Sequence, residues 1–234
     1  NINPFHFQSF WTVIVGAISC FYFLVFLIVG LKFLLGSYDA EQRKEAKEWL
    51  KKAILLVIMV NASLVLYSLL LDVSSGAAVM LWDDRFESLF AIQNLNLTDV
   101  MWLGLFATTL LLAVITLVVR QIFLIMGVML FPIGLFLYFI EPTKVYGSAI
   151  LNVIGGTAFM NVLDVVILIA VQLFWTEFNT IQVMNILAPT FGFLFIAIAN
   201  LVLAAIAILK ALSALGVKVT VKDVMKVAAV VTAA

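Results

Sequence analysis

The longest apolar run limits the possible folds of this sequence more than any other feature. Val100 to Ile140 spans 41 residues in which Arg120 and Gln121 are the only charged or amide side chains. A single helix of this length would measure about 60 Å, roughly twice the thickness of a bilayer's hydrocarbon core. We therefore predict two membrane spans that separate at Arg120, because an interfacial turn spares the guanidinium the cost of a position at mid-bilayer.

The composition of the whole chain is typical of a multi-pass membrane protein. Hydrophobic residues make up 65% of it and charged residues 11%, against about 45–50% and about 25% in soluble domains. With about 20 apolar residues per crossing, the 234 residues leave no room for a separate soluble catalytic domain. We predict an all-α, polytopic membrane helical bundle, a single domain over residues 1–234 with about six transmembrane segments, one of them re-entrant or broken. Two of these predicted segments lie in the apolar run from Val100 to Ile140. The other four are Trp11–Leu35, Ala53–Leu71, Ser148–Phe174 and Ile186–Leu209.

Residues 36–52 form the most polar stretch and are predicted to be a cytoplasmic helical connector. Asp39 is typical of a helix start. A helix from Ala40 to Leu71 would measure about 48 Å and would extend about 18 Å beyond a ~30 Å hydrocarbon core as a stalk. The positive-inside rule places the connector in the cytoplasm, because it carries Arg43, Lys44, Lys47, Lys51 and Lys52. The first span then leads inward, the amino terminus lies outside, and residues 72–99 form an external loop with room for one or two short helices.

The charges of the carboxyl-terminal end conflict with this count of crossings. Residues 210–234 form a basic tail whose lysines place it in the cytoplasm, whereas four ordinary crossings after the external loop would leave it outside. One crossing is therefore predicted to be irregular. Either Pro132 breaks the fourth span or Gly155 and Gly156 divide the fifth into a re-entrant pair, and the sequence leaves both alternatives open.

Polar side chains follow narrow stripes on three predicted spans, which indicates an inner face turned away from lipid. The stripes consist of Asn61, Ser68 and Asp72 on the second span, Thr109, Thr116 and Arg120 on the third, and Thr157, Asn161, Asp164 and Gln172 on the fifth. Asp164 is the strongest functional candidate, as a carboxylate near the middle of a span. A salt bridge to Arg120 or a hydrogen bond to a neighbouring helix is the equally weighted alternative, and the other stripe residues are expected to be packing contacts or part of a channel lining.

Small residues form a ridge on the last span, with Ala197, Asn200, Ala204 and Ala207 at steps of three and four. Such a ridge permits close helix approach, either within the chain or against another protein. The sequence contains no phosphate-binding glycine loop, no His or Cys cluster and no nucleophile with a paired base. We therefore expect a protein that is not an enzyme and that has no cofactor or metal.

Val118 to Trp175 resembles the TrbL-like and CedA-like channel subunits of type IV secretion, conjugation and archaeal DNA-import systems. The resemblance is carried by Arg120 at the end of an apolar helix, Pro132 in the following helix, Glu141-Pro142-Thr143 at its exit, and Gly155, Gly156 and Asp164 in the long span after it. Gly30 to Asn61 is similar to the short helical-hairpin proteins of these machines. Tyr146-Gly147 stands where such channel subunits often have a tryptophan.

The resemblance implies a subunit of an inner or cytoplasmic-membrane pore that passes DNA or protein with energy from a separate cytoplasmic ATPase. The expected partners are membrane lipids, other membrane subunits that include a small helical-hairpin protein, and the ATPase, in a homo- or hetero-oligomer. The connector residues expected to meet the cytoplasmic partner are Arg43, Lys44, Lys47 and Trp49. Two other functions remain open: an ion- or proton-coupled small-molecule transporter built on Asp164, and a structural scaffold of a larger complex in which the polar stripes only join helices.

Overall fold

A computed structural model describes residues 4–36, 39–82, 97–178 and 184–214, and every element in these ranges is helical. Two short 3₁₀ segments, Pro4–Phe7 and Glu141–Thr143, accompany six α-helices. These are α1 (Gln8–Leu35), α2 (Ala40–Asn61), α3 (Ser63–Leu81), α4 (Leu97–Phe139), α5 (Lys144–Phe178) and α6 (Met184–Ala214). The predicted all-α class is confirmed, while residues 83–96 of the predicted external loop and 215–234 of the basic tail lie outside the described ranges.

Five stretches of the described chain are long and apolar enough to cross a membrane. They are Pro4–Leu35, Ser63–Leu81, Trp102–Phe139, Glu141–Phe174 and Leu187–Ile206. Large apolar side chains cover their outer surfaces, and on α1 Val13, Phe23 and Leu34 are each more than two thirds exposed (72%, 71% and 72%). Exposed apolar area of this extent is compatible with helices that face lipid or a partner subunit.

The predicted turn at Arg120 is wrong, because α4 continues through it. The helix runs for 43 residues from Leu97 to Phe139, with Pro132 inside it, and has a length of about 64 Å. Gly155 and Gly156 likewise lie within the continuous α5. Neither Pro132 nor the pair Gly155 and Gly156 therefore interrupts its helix. The count of crossings differs from the prediction because the third and fourth predicted spans form one continuous helix.

The chain around α2 begins as predicted and then departs from the prediction. The Asp39 carboxylate accepts a hydrogen bond from the backbone N–H of Glu41 at 3.0 Å, so Asp39 is the amino-terminal cap. The continuous helix predicted to end at Leu71 is instead interrupted at the single residue Ala62, after which α3 continues to Leu81. Just before the interruption the Asn61 amide donates to the Val57 carbonyl at 2.8 Å, a local bond of the kind that competes with regular helix geometry.

The helices group into two compact units, and α3, α4, α5 and α6 contribute to both. Unit 1 contains Tyr67–Met126 and Gly155–Ala204, and unit 2 contains Pro4–Leu66, Gly127–Ile154 and the chain from Ala205 onward. In unit 1 the buried Tyr67 hydroxyl donates to the Leu124 carbonyl at 2.6 Å, and Ser74 donates to the Ala158 carbonyl. These bonds join α3 to α4 and α5 through backbone acceptors.

Unit 2 has an apolar core between α1, α2 and the second half of α4. Its buried members are Val15, Ile18, Leu56, Val60 and Leu135. Beside this core, α4 and α5 form a hairpin around the 3₁₀ turn Glu141–Thr143, and their backbones approach very closely at Gly147. A Cβ atom there would lie 2.2 Å from the backbone nitrogen of Tyr138 and 2.7 Å from the carbonyl oxygen of Gly134. Only glycine fits this crossing.

Candidate functional site

A largely buried polar cluster joins three helices of unit 1. Arg120 of α4 donates from Nη1 to Oδ2 of Asp164 on α5, and Asn200 of α6 donates from Nδ2 to the other carboxylate oxygen at 2.8 Å. The Arg120 and Asp164 side chains are only 12% and 14% exposed. We call Arg120, Asp164 and Asn200 the polar cluster. The ion pair that the sequence offered as one interpretation of Asp164 is therefore present.

The polar cluster explains why Arg120 can lie in the middle of an apolar helix. Removing a guanidinium and a carboxylate from water costs several kcal/mol for each ion, and the pair compensates for this cost only when the geometry is good and further hydrogen bonds are made. Asn200 supplies one such bond to Asp164 and also donates to the Ile196 carbonyl at 2.9 Å. Nε of Arg120 and Oδ1 of Asn200 are buried without a hydrogen-bond partner within the described residues.

Three other residues of the predicted stripes, Asn61, Thr109 and Thr116, make hydrogen bonds within their own helices. On α4, the Thr109 and Thr116 hydroxyls donate to carbonyls three residues earlier in the same helix, at 3.0 and 2.8 Å. Asn61 is exposed and bonds within its own helix. Thr157 is buried on α5 and Asn161 is partly buried there. Arg120 and Asp164, which belong to two different predicted stripes, are joined side chain to side chain.

The small-residue ridge of the last span faces inward over part of its length. Ala197 and Asn200 are buried and Ala204 is partly buried, while the side chain of Ala207 lies outside the described part of α6. The sequence assigned Asn200 to packing, and its role as a donor to Asp164 is new. The available signal was its isolation as an amide among small and apolar neighbours.

Charged side chains meet at one end of unit 2. Lys32 of α1 pairs with Glu45 of α2 at 2.5 Å, and Lys52 of α2 pairs with Glu141 of the hairpin turn at 2.8 Å. Both cations lie close to the ring of Trp49, with the Lys32 ammonium 4.5 Å and the Lys52 ammonium 5.9 Å from its centroid. We call Lys32, Glu45, Trp49, Lys52 and Glu141 the charged end.

The ion pairs of the charged end are exposed to solvent, unlike the polar cluster. The hydrogen bond and charge of Lys32 lower the pKa of Glu45, and the hydrogen bond from Lys52 to Glu141 raises the pKa of Lys52. In the amino-terminal part of α2, the predicted partner contacts Arg43, Lys44 and Lys47 are exposed. Trp49, the fourth predicted contact, is partly buried and packs within the unit.

The hairpin turn is held by its own side chains. The Thr143 hydroxyl is placed to donate to the carbonyls of Leu137 at 3.0 Å and Ile140 at 3.2 Å, and the Lys144 ammonium lies 5.5 Å from the Tyr138 ring centroid. Pro132 is fully buried on the α4 arm of the hairpin. These contacts order the stretch of chain that carries most of the resemblance described above.

No protein-family model, curated protein or solved structure matches this chain. Within residues 4–36, 39–82, 97–178 and 184–214, no three His, Cys, Asp or Glu side chains come close enough together to hold a metal ion. The geometry within the described ranges therefore offers two polar sites: the buried polar cluster, suited to joining helices, and the charged end, suited to contacts outside the hydrocarbon region.

Proposed function

We propose that this chain is a multi-pass subunit of the cytoplasmic-membrane channel of a DNA-translocation machine, acting with a separate cytoplasmic ATPase. The proposal starts from the resemblance of Val118–Trp175 to TrbL-like and CedA-like subunits. The observation that carries it furthest is the charged end of unit 2, an ordered polar surface where the apolar part of α1 ends. Such a surface is suited to a partner in the aqueous phase.

The continuous α4 supports a topology that agrees with the charges. With α4 as one crossing, the chain crosses the membrane five times, in keeping with the five apolar stretches. The amino terminus then lies outside, and the connector, the Glu141–Thr143 turn and the lysine-rich tail all lie in the cytoplasm, as the positive-inside rule requires. The Lys52–Glu141 pair supports this assignment, because it joins the connector directly to the turn.

The polar cluster favours a channel or scaffold subunit over a coupled transporter. A carboxylate that carries protons or ions must be free to release its partners during the transport cycle. Oδ2 of Asp164 accepts a hydrogen bond from Arg120, and Oδ1 accepts one from Asn200. Arg120 is also engaged, so it does not supply cationic lining for DNA, and the pore is formed between several copies or with partner subunits.

The connector provides a direct test in the host organism. A strain that lacks the native gene is complemented with the wild-type chain or with the double substitution Lys44→Glu and Lys47→Glu, and DNA transfer is measured. We expect transfer and co-purification of the ATPase to fall at least about tenfold, because reversed charges repel a complementary partner surface. Lys44→Arg with Lys47→Arg is the matched control and is expected to retain both.

Two outcomes would contradict the proposal. In the first, the charge-reversed chain transfers DNA and retains the ATPase at the wild-type level while it is present in the membrane in the same amount. In the second, imaging of the purified protein shows a strict monomer without partner subunits or a central opening. Equal loss of transfer in the arginine control would also remove the charge argument, since that variant preserves every charge.

A further inference from the structure

An apolar cleft of about 210 Å³ lies in unit 2 between α1, α2 and the end of α4. Its lining includes Phe21, Leu24 and Ile28 from α1, Ala53 and Leu56 from α2, and Phe139 from α4. Phe21 and Leu24 are about half exposed, at 52% and 51%, so the cleft opens sideways from the helices. This volume is below the roughly 300–1,000 Å³ of pockets for drug-sized ligands and suits a narrow chain rather than a ring system.

The depth of the cleft corresponds to one leaflet of a bilayer. Lys32 marks the polar end of α1, and the lining residues of that helix lie four to eleven positions before it, from Ile28 back to Phe21. At 1.5 Å per residue these positions reach from about 6 Å to about 16 Å below Lys32. Half of a ~30 Å hydrocarbon core is about 15 Å, so the deepest lining residue of α1 lies at about the depth that an acyl chain of one leaflet reaches.

The mouth of the cleft carries groups that bind phosphate. Trp49 and Lys52 belong to its lining, and the Lys32 ammonium lies 4.5 Å from the Trp49 ring centroid. An ammonium group has three hydrogen-bond donors. Lys32 and Lys52 each use one of them on a carboxylate, Glu45 and Glu141 respectively, which leaves donors on both for a second acceptor. Tryptophan is also enriched at the level of the lipid headgroups.

We propose that this cleft binds one phospholipid, with an acyl chain between α1, α2 and α4 and its phosphate on Lys52 and Lys32. The bound lipid comes from the leaflet on the side of the charged connector. The apolar walls and their depth match an acyl chain of one leaflet, and the ammonium groups of Lys52 and the nearby Lys32 match the phosphate. The assignment rests on membrane insertion and not on DNA translocation, so it is tested without any transfer assay.

Native mass spectrometry of the purified full chain tests the assignment. The protein is washed free of weakly bound lipid in detergent and then titrated with dioleoylphosphatidylglycerol or with dioleoylglycerol, which has the same chains but no phosphate. We expect one phosphatidylglycerol to stay on each chain and dioleoylglycerol to dissociate. Equal retention of the two lipids would contradict a phosphate site at Lys52 and Lys32.

Two pairs of variants separate the cleft from its surroundings. Ile28→Trp fills the cleft from a lining position that is 47% exposed, whereas Leu27→Trp adds the same ring at a neighbouring position outside the lining that is 44% exposed. At the mouth, Lys52→Gln removes a phosphate donor and Lys51→Gln removes a nearby charge outside the lining. We expect Ile28→Trp and Lys52→Gln each to lower lipid retention roughly tenfold, since the loss of one charge-assisted hydrogen bond weakens binding by about this factor. The controls Leu27→Trp and Lys51→Gln are expected to bind lipid like the wild type.

A further variant distinguishes the ammonium from its ion pair. Glu141→Gln breaks the pair with Lys52 but leaves the ammonium in place, so we expect lipid retention to be maintained or increased. A loss as large as that of Lys52→Gln would assign the effect to the ion pair and overturn the phosphate site. Equal retention in Ile28→Trp and Leu27→Trp, or a second protein chain held in place of lipid, would overturn the cleft as a lipid site.

Discussion

Unit 1 and unit 2 both contain ion pairs, but in opposite environments. Arg120 and Asp164 of unit 1 are 12% and 14% exposed, whereas the two pairs of the charged end involve side chains that are 33% to 58% exposed. Buried charges interact strongly and are very costly when left alone, while exposed charges are screened by water and salt. The same kind of contact is therefore expected to hold helices together in one unit and to shape a surface in the other.

The largest expected effect comes from leaving one buried charge unpaired. Asp164→Leu removes the acceptor of both Arg120 and Asn200, and we expect it to lower the free energy of unfolding by about 3–5 kcal/mol. Replacing both partners, as Arg120→Met with Asp164→Leu, is expected to recover most of this loss because no charge remains buried. Thermal unfolding of the four proteins of this double-mutant cycle in detergent measures the coupling.

A small coupling energy would remove the contrast between the ion pairs of the two units. A double variant that loses as much stability as the sum of its single variants would mean that Arg120 and Asp164 contribute independently. The polar cluster would then behave like the exposed pairs, and the continuous course of α4 through Arg120 would need another cause.

The next effect separates backbone packing from charge in unit 2. Gly147→Ala places a methyl group 2.2 Å from a backbone atom of Tyr138, a clash that no side-chain rotation relieves, so we expect a loss of about 1–3 kcal/mol or more. Gly156→Ala is the matched control on the same helix, because a Cβ atom there meets nothing within 4 Å. The control is expected to gain about 1 kcal/mol from the better helix propensity of alanine.

Thermal unfolding and the recovery of folded protein decide this prediction. If Gly147→Ala unfolds at the same temperature as the wild type, the α4–α5 crossing is not tightly packed. The exposed ion pairs would then be the stronger candidates for holding the hairpin in unit 2. If Gly156→Ala is equally destabilised, the effect reflects the loss of glycine in α5 generally rather than the crossing.

The sequence predicted helix boundaries that depend on neighbouring residues. Its prediction was wrong where a residue far away in the chain determines the structure. The apolar run ending at Leu35 and the cap at Asp39 were placed correctly, because span length and capping are set by nearby residues. The turn at Arg120 was wrong because the cost of a buried guanidinium depends on Asp164, 44 residues later in the chain. That pairing was already one of the two interpretations of Asp164, but phase alone does not place two helices side by side.

Two further features were beyond sequence reasoning for the same reason. The close approach at Gly147 depends on how α4 and α5 cross. A glycine in an apolar helix does not by itself indicate a contact with the backbone of another helix. Asn200 was assigned to a packing ridge by its spacing from Ala197 and Ala204. Its bond to Asp164 adds hydrogen bonding to that assignment and depends on α6 lying beside α5.

The smallest effect is expected at the exposed pair of Lys32 and Glu45. Folding lowers the pKa of Glu45 below its ordinary value of 4.5, so any stabilisation from the pair is fully present above pH 4.5 and is lost as the pH falls through the lowered pKa. Lys52 behaves in the opposite sense: its pKa is raised above 10.5, and its contribution is lost only as the pH rises through that raised value. Between these limits we expect no pH dependence from either pair.

Glu45→Gln is therefore expected to unfold within a degree or so of the wild type at neutral pH, since exposed pairs contribute little, and to coincide with it in acid, where Glu45 is protonated. Glu48→Gln, an exposed glutamate on the same helix, is the control for a general change of charge. The measurement is a series of unfolding temperatures from about pH 3 to pH 8 at low salt. A large neutral-pH loss that disappears in acid would show that Lys32 and Glu45 stabilise unit 2 as strongly as a buried pair, and solvent exposure would then not account for the contrast between the two units.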